Sequence, residues 1–578
     1  MPLRRARILA AVATVTALLA APPQAFAAAG LSGSYLAATQ ADMSNDYVSA
    51  ADYYGRALAL DPGNLGLMQN AAVARVAEND VAGATPLAKE LLEKAPGSPI
   101  ALLVVLADDL ANGDFDAAEA ALGKTGPDAN PLFVGLLSGW LAVGKDDFTE
   151  AQARFDAMNQ NEALAAYGQY HKALALALAG DFVSAEAIFA GGANGPLHLG
   201  RAAIAAHAQT LAQIDRVDDA VAVIDEALAE GYPSTALIEL RDQLAAGEEV
   251  PFTQITRAQD GAAEVFLTMA EGLGSADSDR LAIVYARLAK HIRPDLIEAS
   301  LVAAEALARQ GRFDLATAAL AEVPADSPWH VTAEIRRAET QRAAGDAAAG
   351  IATLQALAAS HGDSLEVQAA LADQLRMAER YADAAAAYSA AIGIVGTPQP
   401  PHWGLYYSRA ISYERAGDWT KAETDFREAL ALQPGQPSVQ NYLGYSLVEQ
   451  GRNLDEALAL IEQAVAGQPD DGYITDSLGW VLYRLGRYEE ALPHMLRAVE
   501  LEPVDPIIND HLGDVLWKVG RKREAEFQWR RALSFGPAPD LDMDRLRTKL
   551  AVGLEAAGPD KQAAPPPPPP ANDDPQDG

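Results

Sequence analysis

The 578-residue chain has no cysteine. Disulfides, thiolate metal sites and cysteine nucleophiles are excluded together, as is the lipidated cysteine of a lipoprotein anchor. Aromatic residues make up 7% of the chain although half of it is apolar, so any core must be built chiefly from alanine and aliphatic side chains. Ala-rich stretches such as Ala382 to Ala387 are cheap to hold helical, because alanine has the highest helix propensity. Basic residues are scarce too, 44 against 79 acidic ones, for a formal charge of −35. A field of that sign repels nucleic acid and anionic lipid, favours neutral or basic partners, and keeps a long chain soluble.

Only one long apolar run occurs, and it stands at the beginning. Arg4, Arg5 and Arg7 precede an apolar stretch from Ile8 to Ala21 and a small-residue exit at Ala25-Phe26-Ala27. This pattern predicts a secretory signal peptide over residues 1–27. The run is about 14 residues, short of the roughly 20 that a spanning helix needs. Removing the three arginines takes the charge to about −38. The expected product has no membrane span and is soluble in a bacterial periplasm, at most peripherally associated with the outer membrane.

The residues of common catalytic sites are missing as well. No pair among the nine histidines has helical metal-ligand spacing, and neither H-E-x-x-H nor G-x-S-x-G occurs. Gly139 to Lys145 begins like a phosphate-binding loop, but Asp146 stands where a Ser or Thr must hold magnesium. Carboxylate pairs such as Glu489-Glu490 and Asp108-Asp109 are commonplace in an acidic helical chain and carry no catalytic information. His494 and His511 fall in adjacent repeats and can approach each other, but each reads as a packed or solvated histidine. The expectation is a non-enzymatic protein with no catalytic residue, metal or cofactor.

What is present is a ruler of prolines. Pro62 and Pro96 lie 34 residues apart, Pro434 and Pro469 lie 35 apart, and Pro469, Pro503 and Pro537 again 34. Between the marks other residues keep step: Tyr406, Ala410, Tyr413, Gly417, Trp419, Ala422, Phe426 and Ala429 precede Pro434. Period and residues resemble the tetratricopeptide repeat (TPR), a helix pair that buries its apolar face only by stacking on neighbours. The resemblance implies an all-α fold, an α-solenoid of antiparallel helix pairs. First helices are expected near residues 31, 65, 99, 132, 166, 201, 263, 297, 331, 365, 403, 437, 472 and 506.

Regularity is lost where Gly247-Glu248-Glu249-Val250-Pro251 and a polar stretch interrupt the helical pattern. This divides the solenoid into an N-terminal array of degenerate repeats (31–246), a joint (247–260) and a C-terminal array (261–537) whose best repeats span 403–537. An amphipathic segment at 540–556 reads as a capping helix, and the Pro- and Asp-rich tail, 558–578, as disordered.

In TPR arrays, positions 2, 5, 9 and 12 of the first helix line the concave face. Carried over, position 5 gives Tyr407, Asn441, Asp476 and Asp510; position 9 gives Ile411, Tyr445, Trp480 and Asp514; position 12 gives Glu414, Val448, Tyr483 and Trp517. Arg484 and Lys518 lie beside them. The resemblance implies a protein-binding groove with Tyr445, Trp480, Tyr483 and Trp517 as aromatic anchors. Asp476, Asp510 and Asp514 would repel a partner's terminal carboxylate.

The runs Asn441-Tyr442-Leu443-Gly444-Tyr445, Asp476 to Gly486 and His511 to Trp517 are more specific. They resemble the C-terminal repeats of exported bacterial TPR proteins, including an outer-membrane lipoprotein adaptor of a periplasmic carboxyl-terminal processing protease. That family carries a lipidated cysteine, which is missing here. The resemblance implies a scaffold or adaptor whose partners are a PDZ-containing processing protease and cell-wall hydrolases. The alternative is a scaffold for envelope polysaccharide secretion or outer-membrane assembly.

Overall fold

The computed structural model describes residues 30–558 apart from 127–128, 192–196, 198–199, 230–234, 277 and 539–540. The expected signal peptide and the tail from residue 559 lie outside the described residues. Among those described, every regular element is a helix.

Six hairpins come first: α1 (Leu31–Met43) with α2 (Tyr47–Leu60), α3 (Leu65–Ala77) with α4 (Val81–Lys94), α5 (Pro99–Ala111) with α6 (Phe115–Leu122), α7 (Pro131–Gly144) with α8 (Phe148–Ala157), α9 (Glu162–Leu178) with α10 (Phe182–Phe189), and α11 (Arg201–Ala212) with α12 (Val217–Ala229). After α13 (Thr235–Ala245) come α14 (Ala258–Glu271), α15 (Asp279–Ile292), α16 (Ile297–Arg309), α17 (Phe313–Ala321), α18 (His330–Ala343) and α19 (Ala347–Ser360). The chain divides into two compact units between Thr353 and Leu354, inside α19.

Local chemistry explains the punctuation. Asn64, Asp80, Ser98, Asp114 and Asn130 each accept a backbone N–H of the helix that follows, satisfying donors left without an intrahelical partner. Pro99 and Pro131 occupy the first helical turn, where a missing N–H costs nothing. The turn inside a hairpin requires one left-handed residue, supplied by Gly113 (φ 72°) and Gly180 (φ 82°) and, in other hairpins, by Asn79 and Asp146.

The expected joint lies inside the first unit. Beyond it, α14 packs on α7, α9 and α5, and α15 on α5 and α3, so this hairpin covers the first-helix face of the preceding array. Phe266 meets Phe133 edge to face at 5.2 Å, and the Tyr170 hydroxyl donates to Glu264 at 3.1 Å. Gly261 lies against Trp140 so closely that a Cβ would come within 2.3 Å of the indole. Arg280 pairs with Asp42, Tyr47 donates to Gln310 at 2.6 Å, and Arg312 donates to the Asn45 carbonyl at 2.6 Å. These contacts tie the first hairpin to α15, α16 and the turn after α16. A break in the helical pattern marks a change of direction here, and the apolar faces on either side of it cover each other.

The second unit continues with α20 (Leu365–Met377) and α21 (Tyr381–Val395), α22 (Trp403–Arg415) and α23 (Trp419–Leu432), α24 (Pro437–Glu449) and α25 (Leu454–Gly467), α26 (Gly472–Arg484) and α27 (Tyr488–Leu501), α28 (Pro506–Lys518) and α29 (Lys522–Phe535), then α30 (Met543–Val552). Gly444, Gly479 and Gly513 sit where the two helices of a hairpin come closest. A Cβ there would lie 2.7, 2.8 and 2.4 Å from Ile461, Met495 and Trp529 respectively.

Candidate functional site

The first helices of the second unit, α22, α24, α26 and α28, carry the residues assigned to the groove. Neighbouring first helices pack directly, and that packing consumes many of them. Tyr407 is buried edge to face on Tyr442, with ring centroids 6.1 Å apart. Tyr445 is 1% exposed and Trp480 2%. Trp480 stacks on His511 at 3.9 Å and on Tyr483 at 4.8 Å. Its indole N–H donates to Glu449 at 2.7 Å, and Arg484 donates to the same carboxylate oxygen at 2.9 Å. Asp476 Oδ2 lies 2.8 Å from His511 Nδ1.

Asp510 and Asp514 meet the capping helix. Lys549 of α30 donates to Asp510 at 2.7 Å and pairs with Asp514 at 2.7 Å, its side chain wholly buried. Trp529 donates to Asp514 at 2.9 Å, and Arg545 approaches the other oxygen at 3.7 Å. Burial pushes the Asp514 carboxyl up to about 6, with Lys549 opposing and Asp510 reinforcing the shift. Burial works to lower the Lys549 ammonium, but the two carboxylates outweigh it and hold the pKa above the ordinary lysine value.

The expected ladder therefore separates by accessibility. Tyr407, Tyr445, Asp476, Trp480, Asp510 and Asp514 are buried and offer no surface to a partner. The acids expected to repel a carboxylate instead face His511, Lys549 and Arg545. Asn441, Tyr483, Trp517 and Lys518 are half-buried and Arg484 is exposed, leaving a rim toward the C-terminal ends of α26 and α28. There the Trp517 indole donates to Glu555 at 2.7 Å, Lys518 to the same carboxylate at 3.3 Å, and Lys522 lies 4.7 Å above the Trp517 ring. Sequence reading missed Glu449, Lys549 and Arg545. The last two stand four apart on one face of the capping helix, and that spacing was the available signal.

In the first unit the first-helix face ends in a cavity of about 290 Å³ over α11. Its floor is Ala202, Ala205 and Gln209, its walls include Leu237, Leu240, Pro251 and Thr253, and Glu239, Glu249, Glu298 and Trp329 also line it. Gln209 fixes the strap at 249–254 by accepting from the Thr253 N–H at 2.9 Å. Glu298 interacts with Glu271 and Glu264 of α14; burial first, then repulsion from Glu271 and Glu298, pushes Glu264 up to about 8, while Glu271 itself is exposed to solvent. Among the described residues, no His, Asp and Glu cluster could hold a metal ion, and no helix is long and apolar enough to cross a membrane.

This architecture is a TPR-type α-solenoid. Residues 399–535 match the model of the tetratricopeptide repeat family. The TPR repeat-containing protein PA4667 of Pseudomonas aeruginosa is 36% identical over 92 residues, 16% of this chain and 16% of the relative, well under two thirds of its length. Among solved structures, the APC/C hetero-tetramer Cut9-Hcn1 aligns over 92% of this chain and 98% of its own at 14% identity and a TM-score of 0.37. A tetratricopeptide repeat protein from Parabacteroides merdae aligns over 45% of this chain and 98% of its own, with 15% identity and a TM-score of 0.37. Proteins with TPR repeats generally act as protein-interaction scaffolds.

Proposed function

We propose that this protein is a non-enzymatic, exported scaffold that docks protein partners on the rim formed by Tyr483, Arg484, Trp517 and Lys518. The observation that carries this reading is a difference of exposure within one face: the acids and deep aromatics are buried, while Tyr483, Arg484, Trp517 and Lys518, each with an internal contact of its own, keep part of their surface in solvent. Tyr and Trp supply contact area with a polar end, and desolvated aromatic and Arg anchors dominate protein interfaces. The resemblance of residues 400–537 to exported TPR adaptors supports a periplasmic role, presenting cell-wall hydrolases to a PDZ-containing processing protease.

Affinity capture from a periplasmic extract tests this. Wild type should retain a processing protease or a cell-wall hydrolase identified by mass spectrometry, and a Tyr483→Ala, Trp517→Ala chain should lose at least nine tenths of it. Equal recovery by both chains would reject the rim, and recovery of polysaccharide-export components alone would reject the adaptor role.

A further inference from the structure

The first-helix face of the first unit changes character along its length. In α7 its inward positions carry Phe133, Leu136 and Trp140, and in α9 Tyr170, all large and all engaged by α14 or the core around it. At the same positions α11 carries Ala202, Ala205 and Gln209, and there the cavity opens. A switch from large to small side chains on a packed face leaves a void with a fixed floor, and the strap held by Gln209 and Gln213 gives it a fixed wall. At about 290 Å³ the space is at the small end of ligand sites, sized for one side chain and not for a folded element.

Its electrostatics are one-sided. Glu239, Glu249 and Glu298 line it against Arg201 alone. Behind Glu298 stand Glu271 and Glu264, and the adjacent Arg293 offsets Glu298 and Glu264 only in part, since it also donates to the Gln254 carbonyl at 2.7 Å and approaches Asp295 at 3.5 Å. Burial holds the Glu264 and Glu298 carboxyls above the ordinary glutamate range, and Glu271, itself exposed, adds like charge to the row. Trp329 lines the same wall and hydrogen-bonds Glu298, which fixes that carboxyl at the edge of the cavity.

We propose that the recess over α11 receives one lysine or arginine side chain projecting from an extended segment of a partner protein. The aliphatic stem lies against Ala202, Ala205 and Leu237, and the charged head reaches Glu298. This rests on the scaffold reading above but places a second, chemically distinct contact far along the chain from the rim. Two contacts on one partner, or on two, would raise effective concentration without strengthening either contact.

The test is calorimetric titration of the full chain with nine-residue Gly/Ser peptides carrying one central lysine, arginine or norleucine. Wild type should bind the lysine and arginine peptides and bind the norleucine peptide at least tenfold more weakly. Glu298→Gln should weaken the cationic peptides at least tenfold, and Ala205→Phe, which fills the floor without altering charge, should abolish binding. If Ala205→Phe fails to fold, as judged by circular dichroism, Ala202→Leu replaces it. Equal binding of norleucine and lysine peptides, or undiminished binding by Glu298→Gln, overturns the proposal. Periplasmic capture separates the two readings: partners retained without any binding of cationic peptide reject the recess alone, and peptide binding without retained partners rejects the scaffold role alone.

Discussion

Lys549 holds the end of the second unit together through charge that water does not reach. Its ammonium pairs with both Asp510 and Asp514, and removing it leaves Asp510 without its cation and Asp514 with only Trp529 and the more distant Arg545. Breaking a buried pair from one side costs about 3–5 kcal/mol, so Lys549→Met should lower the denaturant midpoint by that equivalent. Adding Asp510→Asn and Asp514→Asn should restore most of it; a Lys549→Met chain within about 1 kcal/mol of wild type would mean that the cluster is solvated. Glu264 makes a pH-dependent prediction. Its folded pKa of about 8 lies above the unfolded value, so the folded state holds the proton more tightly. The stability this supplies is complete below about pH 4.5 and is lost as pH rises through 8. Tyr170, Glu271, Glu298 and Arg293 are the groups that face it. The melting temperature of wild type should fall more steeply between pH 6 and 8.5 than that of Glu264→Gln, and identical slopes would refute this assignment.

The helix is the scale at which the sequence was most readable. First helices begin at Leu31, Leu65, Pro99, Arg201, Ile297, Leu365, Trp403, Pro437, Gly472 and Pro506, where the period puts them, and at Pro131 and His330 within one residue of it; those at Glu162 and Ala258 begin four and five residues early. Each such start depends on residues within one or two turns, so local chemistry fixes it. What could not be read was which helix faces cover one another. Gly261 and Trp140 are far apart in the chain and neither departs from a repeat pattern, yet their contact decides where α14 lies. The same holds for the groove: Trp480 has the composition of an anchor, and only the neighbouring His511 and Glu449 make it core. Gly261→Val should therefore cost on the order of 1–3 kcal/mol through overpacking. Trp140→Leu in the same chain should recover part of the loss, which calorimetry would register as a partial return of the transition temperature. No change in Gly261→Val would show that α14 does not seat on Trp140.

Over the whole molecule, the first unit spends its first-helix face largely on its own chain, down to the recess over α11. The second unit spends much of its own on packing between repeats and leaves a rim. A long solenoid can thus have many repeats and few accessible contacts, and a formal charge of −35 keeps such a surface soluble without specifying a partner. The central claim is that partners use the rim and not the buried ladder. The most direct measurement is the affinity of whichever protein is captured from the extract for wild type and for an Arg484→Gln, Lys518→Gln chain, with melting temperatures recorded beside it. Docking on the rim requires at least a tenfold loss of affinity with a melting temperature within a few degrees of wild type; unchanged affinity in that chain would place the partner elsewhere.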